Sequence, residues 1–490
     1  MTEPSIQQLF DQALRQHQAG QHRDAEQLYR QILARQPEHS GAMHFLGMLA
    51  HQAGRNDVAL DLIRRSIALS PDVPAGHNNL GNVLKEIGQL DEAIAAFRKS
   101  ISLKGDSAEV HNNLGDALRD NGQLDEAIAA CRQAIAIRPD YAEAYSNLGN
   151  ALADKRQLDD AIAAYRQGLA RNHTLSEVRK NLSLALLRRG DFQKGWDEYE
   201  WRWKCRDFRS SARNFAQPQW DGGPLEDRII LLHAEQGFGD AIQFIRYLPL
   251  VIQRGGKAVV ECQAGLDRLF RAMAGEHQIV IRGQPLPAFD VHCPLLSLPR
   301  VFQTTLENMP QAVPYLRADP EDAAKWQHRL AEHLPLSRVG LAWAGNSADR
   351  DDRKRSMNLA RLMPLAQIPG VRFFSLQKGD AANQIKSAPA GMDLIDWAQE
   401  LGDFSDTAAL IANLDLIISV DTAVAHLAGA LAKPVWTLLP FSSDWRWLTD
   451  REDTPWYPSM RLFRQPAWGD WDSTVTQVAD ALSLWIKNRG

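Results

Sequence analysis

The chain is poor in cysteine. Four occur in 490 residues, Cys131, Cys205, Cys262 and Cys293. They lie far apart, with no CxxC pair and no ligand-like spacing, so they read as reduced thiols rather than a disulfide framework or a thiolate metal site. No apolar run approaches the roughly 18 residues of a membrane helix. The opening stretch MTEPSIQQLFDQALRQHQ has no signal-peptide core. These absences point to a cytoplasmic protein without a membrane span. A net charge of −5 lacks the basic signature of a nucleic-acid binder. No Gly/Ser-rich or Pro-rich tract follows the first half, which argues against a flexible linker. What is left is an ordinary globular composition, 44% hydrophobic and 23% charged, long enough for about two to four domains.

The first half repeats. GHNNLGNVLKEIGQLDEAIAAFRKSI, VHNNLGDALRDNGQLDEAIAACRQAI and AYSNLGNALADKRQLDDAIAAYRQGL align without gaps. Leu46, Leu80, Leu114, Leu148 and Leu182 fall at one constant step, and so do Ala25, Ala59, Ala93, Ala127, Ala161 and Gly195. Gly20, Gly54, Gly88, Gly122 and Gly190 keep the step too, with Arg156 as the exception. Apolar positions within a unit, such as Leu80, Val83, Leu84 and Ile87, recur at helical spacing. The period and pattern resemble the tetratricopeptide repeat, one helix hairpin per unit. The resemblance covers about residues 6–209, six units, and implies an all-α solenoid over 1–209 with a concave groove.

Asn79, Asn113, Asn147 and Asn181 share one repeat position. Asn82, Asp116 and Asn150 lie three residues on, hence on the same helix face. A carboxamide both donates and accepts, so a ladder of them can hold a peptide backbone whatever its side chains. This is similar to the asparagine ladder of the protein O-GlcNAc transferases, and it implies a protein acceptor in the groove. The other reading is local: asparagine here caps backbone or follows the repeat consensus. After the sixth unit, GDFQKGWDEYEWRWKCRDF places Trp196, Tyr199 and Trp203 on one helical stripe, expected to pack the solenoid rigidly onto the next domain.

The second half alternates. RIILLHA, KAVVECQ and QIVIRG have strand character and are separated by helical stretches. PEDAAKWQHRLAEHLP reads as a helix at a lobe boundary. RVGLAWAG, VRFFSLQ, MDLIDWA, LDLIISV and PVWTLLP form a second set of strands. The pattern predicts an α/β fold of two parallel-sheet lobes, 210–325 and 326–490, with a cleft at the carboxyl ends of the strands.

Two loops carry chemistry. In HAEQGFGDAIQFIRYLP the dinucleotide fingerprint fails, because Ile242 stands where its third glycine belongs. The G-K-[S/T] of a phosphate loop is absent as well. The turn instead delivers Asp240 to a helix N-terminus. There it either caps amides and favours the helix dipole, or faces the cleft as a general base while Gly237 and Gly239 clear space for substrate. In LDLIISVDTAVAHLAGALAKPVWTLLP the turn places Thr422 and Ala423 at a helix N-terminus, where free amides favour a phosphate. His426, one turn on, either adds a donor or is structural.

Together these motifs resemble the two-lobed glycosyltransferases related to the bacterial heptosyltransferases (family 9-like), over about residues 225–490. The resemblance implies a GT-B fold of two Rossmann-like lobes. It implies Asp240 as base and Asp421, Thr422, Ala423 and His426 as donor-phosphate residues. WAGNSADRDDRKRS follows a strand end where that family holds a cationic donor contact. Arg350, Arg353, Lys354 and Arg355 can supply it, or form a solvated basic loop. Gly345 and Asn346 are expected to shape this turn against the nucleotide, and Gln377 to meet the base or ribose. The tail PFSSDWRWLTDREDTPWYPSMRLFRQPAWGDW departs from the family. It either closes over the donor or packs against the final helix.

The implied activity is metal-independent transfer of a sugar from a nucleotide-sugar to Ser or Thr of a protein held by the solenoid, with no cofactor. Bacterial proteins of this layout are associated with modifying surface proteins, which makes flagellin the expected acceptor by analogy. Two alternatives stand beside it: a glycan- or lipid-directed heptosyltransferase-like enzyme, and an inactive repeat scaffold.

Overall fold

The computed structural model describes residues 3–208, 212–347, 352–388 and 391–489. The chain divides into two compact units, 1–178 and 179–490. Twelve helices run from Ile6–Gln18 to Phe192–Tyr199. The sixth hairpin, from Arg179 onward, falls in the second unit. No helix among the described residues is long and apolar enough to cross a membrane.

In the first unit the second to fifth hairpins each close on a glycine, where the first has Ala13. Gly47, Gly81, Gly115 and Gly149 sit against Ile63, Phe97, Cys131 and Tyr165, where an added Cβ would fall 2.8, 2.6, 2.6 and 2.5 Å from the partner side chain. Both sets keep the repeat step. Cys131 is thus a packing residue in the slot that phenylalanine and tyrosine fill elsewhere. Its burial pushes the thiol up to about 12, so it carries no reactive thiolate. The turn glycines Gly20, Gly54, Gly88 and Gly122 all have positive φ, which glycine adopts without a Cβ penalty. Arg156 keeps the same conformation at φ 67°.

The repeated asparagines also bind the stack together. The Asn113 Nδ2 donates to Asn78 Oδ1 at 3.1 Å, and Asn147 Nδ2 to Asn112 Oδ1 at 3.0 Å. Asn79 pairs with His44 Nε2 at 3.0 Å. Each reaches one repeat back. Asp116 is ion-paired with Lys85 and Arg119, and Asn150 accepts the Tyr165 hydroxyl at 2.8 Å. Asn82 and Asn181 are half-buried.

The second unit holds two all-parallel sheets. The first has β1 (Ile229–His233), β2 (Lys257–Cys262), β3 (His277–Ile281) and β4 (Val291–Pro294) in the order β3-β2-β1-β4. The second has β5 (Ser337–Ala342), β6 (Val371–Ser375), β7 (Leu394–Asp396), β8 (Leu416–Val420), β9 (Val435–Leu439) and β10 (Met460–Arg464) in the order β10-β9-β8-β5-β6-β7. The central strands read as continuous apolar runs because both faces are covered; β8 and β9 are buried throughout. Strand order reverses at β1/β4 and at β5/β8. The loops leaving β1, β5 and β8 therefore open at the switch points, where crevices form.

Trp196 and Tyr199 are buried in the core of this second unit, while Trp203 is half-exposed. Trp196 donates its indole N–H to Thr304 O at 3.1 Å and meets Trp445 edge-on. Two residues of the stripe, Trp196 and Tyr199, thus pack into this core, and Trp203 does not.

Candidate active site

The loop leaving β1 enters the helix Phe238–Phe244. Asp240 is its third residue, and its Oδ2 accepts the Gly237 N–H at 3.0 Å, as a capping carboxylate does. Its Oδ1 is ion-paired with Arg446, from the tail of the chain. The two oxygens thus serve two roles, one local and one long-range. The side chain is 17% exposed. Burial raises its pKa; Arg446 opposes that most strongly, Asp444 adds to it, and the Gly237 N–H and Arg355 oppose it further.

Gly239 is needed for close approach. A Cβ there would fall 2.9 Å from His426 Cδ2, and 3.7 Å from Ala423 Cα. The expectation that this glycine clears room for substrate is corrected: His426 occupies that room, and the glycine brings the β1 and β8 loops together. A Cβ at Gly237 would lie 3.5 Å from Asp240 Oδ2.

The loop leaving β8 holds Asp421 and Thr422 ahead of the helix Ala423–Ala430. Thr422 Oγ1 pairs with Ser419 Oγ at 3.1 Å and makes no side-chain cap, so it leaves the first helical amides of Ala423 and Val424 uncapped among the described residues. Asp421 is buried and accepts the Trp447 indole N–H at 2.7 Å. Burial, with Asp444 nearby, pushes its carboxyl up to about 6. His426 is buried, hydrogen-bonded through Nδ1 to Tyr457 Oη at 2.9 Å, with Nε2 3.9 Å from Asp421 Oδ1. Its ring stacks on Trp447, centroids 5.4 Å apart. Burial and then the Arg446 charge hold its pKa well below the ordinary value. It is a neutral imidazole with one N–H to give.

The loop leaving β5 is where cations were expected. Arg350 lies outside the described residues. Arg353 is exposed, and Lys354 and Arg355 are half-buried. Arg355 contacts Asp352 Oδ1 at 3.2 Å, and its charge acts on Asp240, Asp421 and His426 together. Gly345 donates its N–H to Ser356 Oγ at 2.8 Å, and a Cβ there would lie 2.1 Å from Asp352 Oδ1, so this turn is shaped against Asp352. Asn346 is exposed. Gln377 is corrected from a nucleotide contact to a structural brace. Its Oε1 accepts from Trp343 N and Ala344 N, and its Nε2 donates to Ala344 O and Lys378 O, all at 2.9 Å. That uses its full hydrogen-bonding capacity.

Two groups of residues escaped the motif reading. The tail both packs and reaches the site: Trp445 and Trp456 enter the core, while Asp444, Arg446, Trp447 and Tyr457 surround Asp240, Asp421 and His426. Beneath the β1 loop, Arg202 is fully buried and donates to Glu235 Oε1 at 3.0 and 2.7 Å, to Glu200 Oε1 at 2.7 Å and to Ser297 Oγ at 2.8 Å. Glu235 Oε2 has no hydrogen-bond partner among the described residues, and burial outweighs Arg202 to push this carboxyl up to about 7. Tyr199 accepts from Gln236 Nε2 at 2.9 Å. The only sequence hint of these was the density of Trp and Arg in both stretches.

Family models match the repeats and the later part of the second half. Tetratricopeptide-repeat models match residues 10–74 and 146–200, and also 81–118 and 115–155. The model of glycosyltransferase family 9 (heptosyltransferase) matches residues 349–468. The chain is similar to Protein FlbA of Caulobacter vibrioides, 31% identical over 322 residues, 61% of this chain and 53% of that protein. It therefore spans about half the length of the curated relative it matches. Among solved structures it is similar to PilW, a widely conserved type IV pilus biogenesis factor, at 18% identity and TM-score 0.39, over 42% of this chain and 95% of that one. It is also similar to MamA, at 22% identity and TM-score 0.31, over 34% and 96%. The chain carries tetratricopeptide repeats ahead of a C-terminal glycosyltransferase family 9 domain.

Proposed function

We propose that the second unit is a GT-B-type glycosyltransferase that moves a sugar from a nucleotide-sugar to a Ser or Thr hydroxyl of a protein bound by the repeats. The supporting observation is the meeting, at both sheet switch points, of a carboxylate with uncapped helix amides. Gly239 packs on His426 and Ala423, which brings Asp240 of the β1 loop beside the β8 helix N-terminus.

A Ser or Thr hydroxyl is a weak nucleophile at neutral pH. Asp240 takes its proton as the oxygen attacks the anomeric carbon, and the bond from that carbon to the nucleotide's phosphate oxygen breaks. A positioned base contributes on the order of 10²–10⁴-fold. The departing phosphate gathers charge. The Ala423 and Val424 amides, the His426 N–H and Arg355 stabilise it where it forms. The acceptor is a polypeptide held along the asparagine face of the repeats, flagellin being the first to assay. Because the Asn113 and Asn147 amides are also spent between repeats, peptide pairing falls to their remaining polar atoms.

Isothermal titration with UDP-, ADP-, GDP- and CMP-sugars identifies the donor. Asp240→Asn should then bind that donor normally and lose transfer by on the order of 10²–10⁴-fold. Near-normal turnover would remove Asp240 as base. Absence of binding by every sugar would favour an inactive scaffold. Transfer to a lipid-linked or free glycan but never to protein would favour the glycan-directed enzyme.

A further inference from the structure

Arg446 approaches Asp240 from a turn more than two hundred residues away in sequence. Its guanidinium is buried, with the side chain 10% exposed. Three directions of that fork are used: Nη2 to Asp240 Oδ1, Nε to Gln243 Oε1 at 2.5 Å, and Nη1 to Asp444 Oδ1 at 2.9 Å. The guanidinium carbon lies 4.4 Å from the centre of the Trp445 ring. A planar donor fork held this way fixes the plane and direction of the carboxylate it meets. The Asp240 and Gln243 partners lie on the helix after β1, whereas Asp444 and Trp445 belong to the tail. One cation thus ties the base-bearing loop to the half of the unit that carries the proposed donor site.

The tie matters chemically because Asp240 is largely desolvated, which favours its neutral form. A protonated carboxyl cannot take the acceptor's proton. The groups facing it act in both directions. Asp444, from the tail, and Glu235, from the β1 loop, favour protonation. Arg355, from the β5 loop, opposes it, and Arg446 is the strongest opposing group. Tyr199 and His426, the latter on the β8 helix, face the same space as neutral groups.

We propose that Arg446 is the positioning residue that arms Asp240: the β1-loop carboxylate is ionised and aimed only while the Asp444–Trp447 turn is seated against it. The inference rests on the proposed role of Asp240 as base, but its test need not. Infrared difference titration of the full chain, wild type minus Asp240→Asn, reads the Asp240 carboxyl with no donor or acceptor present. Arg446→Gln should move that titration midpoint up by about one pH unit or more, a tenfold rise in proton affinity. Arg446→Lys keeps the charge and should return most of the shift. Asp444→Asn removes an opposing carboxylate and should move the midpoint down, which keeps the test open if Arg446→Gln does not fold. In transfer assays with the donor identified above, Arg446→Gln should lower kcat at least tenfold, move the acidic limb of its pH profile upward and leave donor affinity unchanged. An unmoved midpoint in folded Arg446→Gln overturns the inference, and so does a downward move. A moved midpoint with full turnover in Asp240→Asn instead removes the base reading and leaves the charge coupling standing.

Discussion

Asn113 and Arg446 both donate to a buried or part-buried polar side chain, yet they find their partners in opposite ways. Asn113 reaches back 35 positions to Asn78, and Asn147 makes the same step to Asn112. Arg446 crosses 206 positions to Asp240. In the repeat unit a contact is copied once per hairpin, so losing one copy leaves the others in place. In the second unit each polar contact is made once, between segments that only the finished fold brings together. The contrast predicts where the molecule is fragile.

The largest stability effect should come from the buried network under the β1 loop. Arg202→Met leaves Glu235 and Glu200 without their shared cation in a site where Arg202 is fully buried. Breaking one side of such a pair typically costs about 3–5 kcal/mol, while replacing both partners by apolar groups is often neutral. Denaturant unfolding of the full chain should therefore show the second unit's transition collapse in Arg202→Met and largely recover in Arg202→Met with Glu235→Leu. The pH dependence carries a sign. Glu235 sits near pH 7 in the folded chain, against an ordinary value of 4.5. The folded state holds a proton that the unfolded chain has released, so its contribution to stability falls as pH rises from about 4.5 to 7 and is level above that. Glu235→Gln should flatten this slope. A loss below about 1 kcal/mol in Arg202→Met would erase the proposed contrast between the units.

The same contrast explains what the sequence made legible. The helix hairpins follow from one period, and Gly81 against Phe97 or Gly149 against Tyr165 repeats that period in space. The two site loops were legible because each is a short contiguous motif between a strand and a helix. Strand order was not, since alternation gives no register between β5 and β8. Gln377 looked like a ligand contact because it ends a strand, but the backbone groups it satisfies are 33 and 34 residues upstream. Arg446 sits in a stretch with neither period nor motif, and nothing local marks which Asp it will meet. His426 was placed correctly near a helix N-terminus, whereas its contact with Gly239 depends on two segments of the fold meeting.

A smaller effect tests the repeat side. Asn147→Ala removes the donor to Asn112 Oδ1 and leaves that largely buried carboxamide short of a partner. An unsatisfied buried acceptor costs about 1–3 kcal/mol. The loss should appear in unfolding of the first unit and leave the second unit's transition in place. Asn113→Ala should do the same by the same mechanism, since the contact is a copy. If Asn147→Ala instead weakens binding of the protein acceptor with no loss of stability, the asparagines belong to the groove more than to the stack.

The smallest expected change is a gain. At the turn position where Gly20, Gly54, Gly88 and Gly122 have φ between 72° and 82°, the fifth unit has Arg156 at φ 67°. The fold therefore imposes the repeat's backbone on a residue that resists it. A left-handed conformation costs an ordinary L-residue roughly 1–2 kcal/mol. Glycine avoids that cost but loses about 0.5–1 kcal/mol through the freedom it has when unfolded. The half-buried arginine's own interactions offset part of that gain, at about 0–1 kcal/mol each. Arg156→Gly should thus stabilise the first unit by about 0.5 kcal/mol, read as a small upward shift of its unfolding midpoint with an unchanged slope. A comparable loss would mean that Arg156 is held by interactions strong enough to outweigh the backbone, making the fifth turn a place where the repeat departs from its period for a reason of its own.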